Sequence, residues 1–171
     1  MKRTQGSIDT LHIECINPRY NKYRVRWDFQ SYTDENGVEG VTFYEAELYS
    51  PTFEQIQETV LNGYNAIIDE RIVNGFMWDG MPVWLSHENQ FNYKAAYDLA
   101  VQTNGANLPV TFKFGTTIQP IYHTFTSVDE LHGFYLSAMA YINDVLAAGW
   151  AEKDAIDWTP YEEALANLNK E

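Results

Sequence analysis

The chain has one cysteine, Cys15, among its 171 residues. No disulfide can therefore form within it, and no structural zinc site of the cysteine-pair kinds can be built. That cysteine usage suits a protein made and kept in a reducing compartment. Long apolar runs are missing as well: no stretch approaches the roughly 18 residues that a membrane-spanning helix needs. Met1-Lys2-Arg3 makes a basic start, but polar residues follow where a secretory signal would carry its apolar segment. Basic residues are scarce. Eleven Lys and Arg stand against 24 Asp and Glu, a net charge of −13. Binding to a phosphate backbone rests on cations that displace condensed counterions, so this balance repels a duplex. The only basic clusters are Lys2-Arg3 and the set Arg19, Lys22, Arg24 and Arg26, and the second reads as the polar side of a strand. No nucleic-acid partner is expected.

The usual signatures of catalysis are also lacking. His12, His87, His123 and His132 are scattered, none at a metal-ligand spacing beside a carboxylate or thiolate. There is no nucleophile elbow, phosphate loop or dinucleotide fingerprint. Carboxylates are plentiful, which makes any one pair uninformative. Asp34-Glu35 lies in a turn, and Asp154 and Asp157 lie in a polar linker. They read as solvated acids, because a glycosidase pair needs fixed separations across a cleft. The sequence therefore predicts no catalytic residue, no cofactor and no metal ligand, and a protein that is not an enzyme.

What the chain does have is aromatics: 9 Phe, 12 Tyr and 5 Trp, 15% of the whole, within a 45% apolar composition. That content can fill the core of one domain over residues 1–171, with a loose N-terminal arm over 1–18. From Tyr20 the chain alternates, with Tyr23, Val25, Trp27 and Phe29 on one side and Lys22, Arg24, Arg26 and Asp28 on the other. This is the period of a half-buried strand. The turn cluster Thr33–Gly37 and a second alternating stretch, Val41–Tyr49, complete a hairpin. A helix opens at Thr52, with Gln55 at the reciprocal capping position, and Phe53, Ile56, Val60, Tyr64, Ile67, Ile68 and Ile72 form its apolar face. Gly63 interrupts that face at a cost of about 1 kcal/mol relative to Ala, which suggests close packing against a neighbour.

Asn74-Gly75 ends the helix, and Phe76–Leu85 follows with Asp79-Gly80 at its centre. Asp-Gly between apolar arms signals a type I′ hairpin turn, and Pro82 confines its arm to an edge. Ser86 can cap a helix to about Gln102, with Phe91, Ala95 and Leu99 inside. A third extended pair runs from Pro109 to Phe114 and from Ile118 to Phe125. Ser127 and Glu130 then form a capping box for a helix whose face includes Leu131, Phe134, Ala138 and Ile142, stopped by Gly149. Thr159-Pro160 starts a short last helix. Hairpins alternating with helices predict the α+β class: an antiparallel sheet built from three hairpins, three main helices packed against it, and a short C-terminal helix.

The hairpin around Trp78 and Trp84 is the one functional candidate. Core is the commoner fate of such indoles. The alternative is an exposed aromatic edge that grips a protein partner or a sugar face, with Trp78, Met81 and Trp84 as its contacts.

From about Ile67 onward the chain resembles a domain of unknown function found in small proteins of Bacteroidetes phages and other tailed phages, often encoded near tail-fibre genes. The resemblance is carried by Asn74-Gly75-Phe76-Met77-Trp78-Asp79-Gly80, by Val83–Gln90, by the hairpin from Thr111 to Phe125, and by Thr126–Leu131 with its long helix. The hairpin from about Tyr20 to Tyr49 lies outside it. The resemblance implies a virion or tail-associated structural or assembly protein, put together in the bacterial host cytoplasm. Its expected partners are other virion or tail proteins and further copies of itself. A carbohydrate- or peptide-binding module is the alternative, motivated by the Tyr and Trp content.

Overall fold

The computed structural model of the chain describes residues 2–168. Eight strands and four α-helices follow in the order β1 (Thr4–Gly6), β2 (Ile13–Asn17), β3 (Lys22–Thr33), β4 (Glu39–Tyr49), α1 (Phe53–Asn74), β5 (Phe76–Trp78), β6 (Met81–Val83), α2 (His87–Gln102), β7 (Val110–Gly115), β8 (Pro120–Phe125), α3 (Val128–Asp154) and α4 (Thr159–Leu168). The class is α+β with antiparallel pairing throughout, and the three expected hairpins are β3–β4, β5–β6 and β7–β8. They belong to three sheets instead of one, a four-stranded sheet in the order β1-β4-β3-β2 and two separate strand pairs. The stretch expected to form a loose arm over 1–18 carries β1 and β2, which pair with β4 and β3. The chain divides into two compact units, Met1–Ile67 with Ala151–Glu171, and Ile68–Trp150.

In the first unit the four-stranded sheet packs its Val25 and Trp27 face against Ile56 and Val60 of α1 and Tyr161 of α4. The Tyr161 hydroxyl donates to the Arg26 carbonyl at 2.8 Å, tying α4 to β3. Val25, Arg26 and Trp27 are consecutive and all buried, so the strand is covered on both faces there. The strict alternation expected across β3 fails at Asp28, whose φ of 55° marks a bulge between the Trp27–Tyr44 and Gln30–Thr42 pairs. Phe29 consequently joins the side of Arg26 and stacks on Phe43, ring centres 5.3 Å apart. The basic cluster on this strand is neutralised. Arg26 pairs with Glu14 and Glu45, Arg24 with Glu45 and Glu47, and Lys22 with Glu47. Gly63 does mark close packing: a Cβ there would stand 2.4 Å from the Trp27 indole.

The second unit has an aromatic core. Phe76, Val83, Leu85, Tyr93, Phe114, Phe125, Leu131 and Phe134 are buried together. Two sequence expectations are corrected in it. Phe91, Ala95 and Leu99, expected inside, are all exposed, Phe91 by 72% and Leu99 by 48%, while Tyr93 and Ala100 are buried. The inward face of α2 is rotated because Tyr93 reaches the rings of Phe112 and Phe134, at 4.7 and 5.0 Å. Gly149 does not stop α3, which continues to Asp154. It is a contact point, since a Cβ at Gly149 would stand 2.4 Å from the Ile68 side chain. Both capping boxes form: Gln55 N–H donates to Thr52 Oγ1 with the reverse bond from Thr52 N–H to Gln55 Oε1, and Glu130 N–H donates to Ser127 Oγ. In the second box the Glu130 carboxylate accepts from the Thr126 N–H.

Candidate functional site

The hairpin β5–β6 turns at Asp79 and Gly80, whose φ values of 46° and 75° are both positive, as a type I′ turn requires. Trp78 pairs directly with Met81 across it. A Cβ at Gly80 would meet nothing within 4 Å, so a substitution there isolates the backbone cost. Gly80→Val is expected to lose about 1–3 kcal/mol, the range for a strained backbone position. Urea denaturation of the variant checks this, and an unchanged midpoint would refute the turn's control of the hairpin.

Alternation along the two arms sorts their side chains. Phe76 and Val83 are buried, and Trp78 and Met81 pack against the core of the second unit. The Trp78 indole lies edge-on to Phe134, centres 5.5 Å apart. Two of the three expected contact residues, Trp78 and Met81, therefore belong with the core, because they share the face of Phe76 and Val83. The third does not. Trp84 is 58% exposed, and Met77, on the opposite arm, is 53% exposed.

Trp84 is exposed but firmly placed. Leu85, next to it, is fully buried, and its N–H donates to the Val73 carbonyl at 2.9 Å. The Asn89 side-chain amide donates to the Trp84 carbonyl at 2.8 Å, and the Gln90 amide to the Leu85 carbonyl at 2.7 Å. Ser86 caps the same helix through the Asn89 N–H. Buried anchors and a helix start thus hold the backbone beneath an indole left facing water. Such rigidity lowers the ordering cost of binding.

Beside this indole lies a groove of about 810 Å³. Val83 and Phe114 contribute apolar surface, and Asn74, Asn89, Lys113, Thr116 and Thr117 contribute polar groups. The volume is within the range of small-molecule sites, and so is the mix of apolar wall and a few polar groups. Gly115, at φ 80°, turns the chain at the groove's edge, and the turn is closed by the Thr116 N–H to Gln119 carbonyl bond at 3.0 Å. Thr116 Oγ1 accepts from the Gln119 N–H, also at 3.0 Å. Sequence reasoning missed Lys113 and the two threonines, since nothing local signals that the end of β7 approaches β6.

Elsewhere several titratable groups are tied into the packing and the hydrogen bonding. Burial holds the His12 imidazole below its ordinary value, with the Asp157 charge opposing, and the ring packs on Phe29 and Tyr161. Burial pushes the Tyr93 hydroxyl up to about 12. Asp157 accepts from the Thr159 N–H at the start of α4. His123 meets Glu130 at 3.0 Å. Among the described residues no group of three His, Cys, Asp or Glu is placed to hold a metal ion, and no helix is long and apolar enough to cross a membrane.

A family model described as "Domain of unknown function (DUF4376)" matches residues 55–168, about two thirds of the chain. The chain belongs to this family. The DUF4376 match begins early in α1 and runs to the end of α4, so it contains the hairpin and the whole groove. The strands β1–β4 lie outside it. No curated protein and no solved structure matches the chain.

Proposed function

We propose that this DUF4376 protein is a virion or tail-associated structural or assembly protein of a bacteriophage, working through protein–protein contacts and without catalysis. One observation supports the contact role above others. The outer side of the β5–β6 hairpin presents Trp84 and Met77, both more than half exposed, on a backbone fixed by buried neighbours. Hot spots of binding are enriched in Trp, and Trp and Met are enriched at interface cores. The phage setting rests on the resemblance of Asn74–Gly80, Val83–Gln90 and Thr111–Leu131 to small phage proteins encoded near tail-fibre genes. Particle parts occur in symmetric copies, so homo-oligomers or several copies on a symmetric partner follow, put together in the bacterial host cytoplasm.

Sedimentation of the protein, alone and with the products of the genes that flank its own, tests this. Trp84→Ala should weaken the assembly about 30-fold, the scale of a hot-spot residue, with the melting temperature unchanged. Trp78→Ala should lower the melting temperature instead, because Trp78 packs on Phe134. A wild-type protein that stays monomeric and binds none of those products would end the proposal.

A second reading, a carbohydrate- or peptide-binding module, is favoured by a separate observation: the groove beside Trp84 with its amide and hydroxyl lining.

A further inference from the structure

Among the described residues that line the groove, Lys113 alone is charged. The protein carries a net −13, and Arg3, Lys22, Arg24, Arg26 and Lys94 each pair with a carboxylate. Lys113 pairs with none among the described residues, and no Asp or Glu lines the groove it faces. The groove is therefore a cationic spot on an acidic molecule. An unpartnered ammonium beside hydroxyl and amide groups suits an anionic ligand group such as a carboxylate, through a charge-assisted hydrogen bond. Trp84 also lines the groove, and its exposed indole is a flat apolar surface suited to the C–H face of a sugar ring, since an aromatic with polar groups around it binds ligands that are half apolar and half wet.

From these groups we infer that the groove binds an acidic saccharide, a sugar ring carrying a carboxylate. This rests on the second of the two readings above and narrows it. The ring lies on the Trp84 indole, its carboxylate meets Lys113 Nζ, and its hydroxyls reach Asn89 Oδ1 and the Thr116 and Thr117 hydroxyls. Asn89 has this oxygen to offer because its amide nitrogen is committed to the Trp84 carbonyl. A peptide is disfavoured as occupant. The arm at the groove contains Pro82, which has no N–H to offer an added strand, and strand addition draws its affinity from main-chain bonds.

Isothermal titration of the full chain with trigalacturonate, maltotriose and a tripeptide with a free C-terminal carboxylate decides the matter. Trigalacturonate should bind one per chain and maltotriose about tenfold more weakly, the effect of one charge-assisted bond. Trp84→Ala should abolish binding, and Lys113→Gln should weaken trigalacturonate about tenfold while leaving maltotriose unchanged. Both positions are exposed, so melting temperatures should not move, and an NMR map should place the shifts at the Trp84 indole and Thr116. Equal binding of both saccharides, or indifference to Lys113→Gln, overturns the acidic specificity but keeps a saccharide groove. Binding of the tripeptide alone, or of none of the three at millimolar concentration, overturns the saccharide altogether. The protein-contact proposal is judged separately, by sedimentation of Lys113→Gln, which removes the ammonium and leaves Trp84 in place.

Discussion

Phe134→Ala should cost about 3–5 kcal/mol, the range for removing a buried phenylalanine. Phe134 has no exposed surface, and it is the hub of the second unit's aromatic core. The rings of Tyr93, Phe125, Phe114 and Trp78 surround it at 5.0, 5.1, 5.4 and 5.5 Å. These neighbours come from α2, β8, β7 and β5, so truncation opens a cavity that no single side chain can fill by changing rotamer. Aromatic pairs in tilted or edge-on geometry add stability beyond their buried area, and all four would be lost together. Phe134→Leu should recover more than half of the deficit by filling volume. Urea denaturation followed by near-ultraviolet circular dichroism reads the change directly. For a chain of this size the alanine variant should melt about 10 °C lower or more. A loss below about 1 kcal/mol would mean that the site collapses freely, contrary to the packing of rigid interiors.

Gly63→Leu should destabilise the first unit although leucine is the better helix former. On propensity alone the change gains nearly 1 kcal/mol. Against that, a Cβ at position 63 would stand 2.4 to 2.5 Å from Cε2, Cζ2 and Nε1 of Trp27. Trp27 is 2% exposed and backed by the sheet, so it cannot swing aside without opening the core of Val25, Ile56 and Val60. Overpacking of this kind costs about 1–3 kcal/mol and sometimes more, which outweighs the propensity gain. Denaturant midpoints of Gly63→Ala and Gly63→Leu should fall in that order. If either variant is more stable than the wild type, the helix can shift away from the sheet and the contact is not limiting.

Much of this architecture is legible in the residues. The capping boxes at Thr52 and Ser127, the Asp79-Gly80 turn and the α1 face of Ile56, Val60, Ile67, Ile68 and Ile72 are local patterns, and local patterns depend on nothing distant. The face of α2 was not legible. Phe91, Ala95 and Leu99 have the right spacing and hydropathy, but so do Tyr93, Ala96, Tyr97 and Ala100. The choice between them belongs to Phe112 and Phe134, which arrive from other elements. The same holds at Gly149, where a glycine suited to ending a helix is instead required by Ile68. The candidate site was half visible. The Asp79-Gly80 turn with its aromatic arms singles out Trp78, Met81 and Trp84, and the fold then separates the exposed Trp84 from the two packed ones. Lys113 could not be found, because its place in the groove beside Asn89 and Thr116 is a property of the folded arrangement.

The bulge at Asp28 has a consequence of its own for how β3 is compared with other strands. In the language of signals it is a phase slip of half a period. Residues from Lys22 to Trp27 are written in one phase and those from Phe29 to Thr33 in the other, so a period-two average taken over the whole strand partly cancels. The residue at the slip is also an anchor: its carboxylate and its carbonyl both hold the Arg3 guanidinium, each at 2.5 Å. Clock and clamp coincide in one residue. A strand without the bulge has to be aligned with β3 in two pieces, because one continuous frame would assign half of the strand to the wrong side.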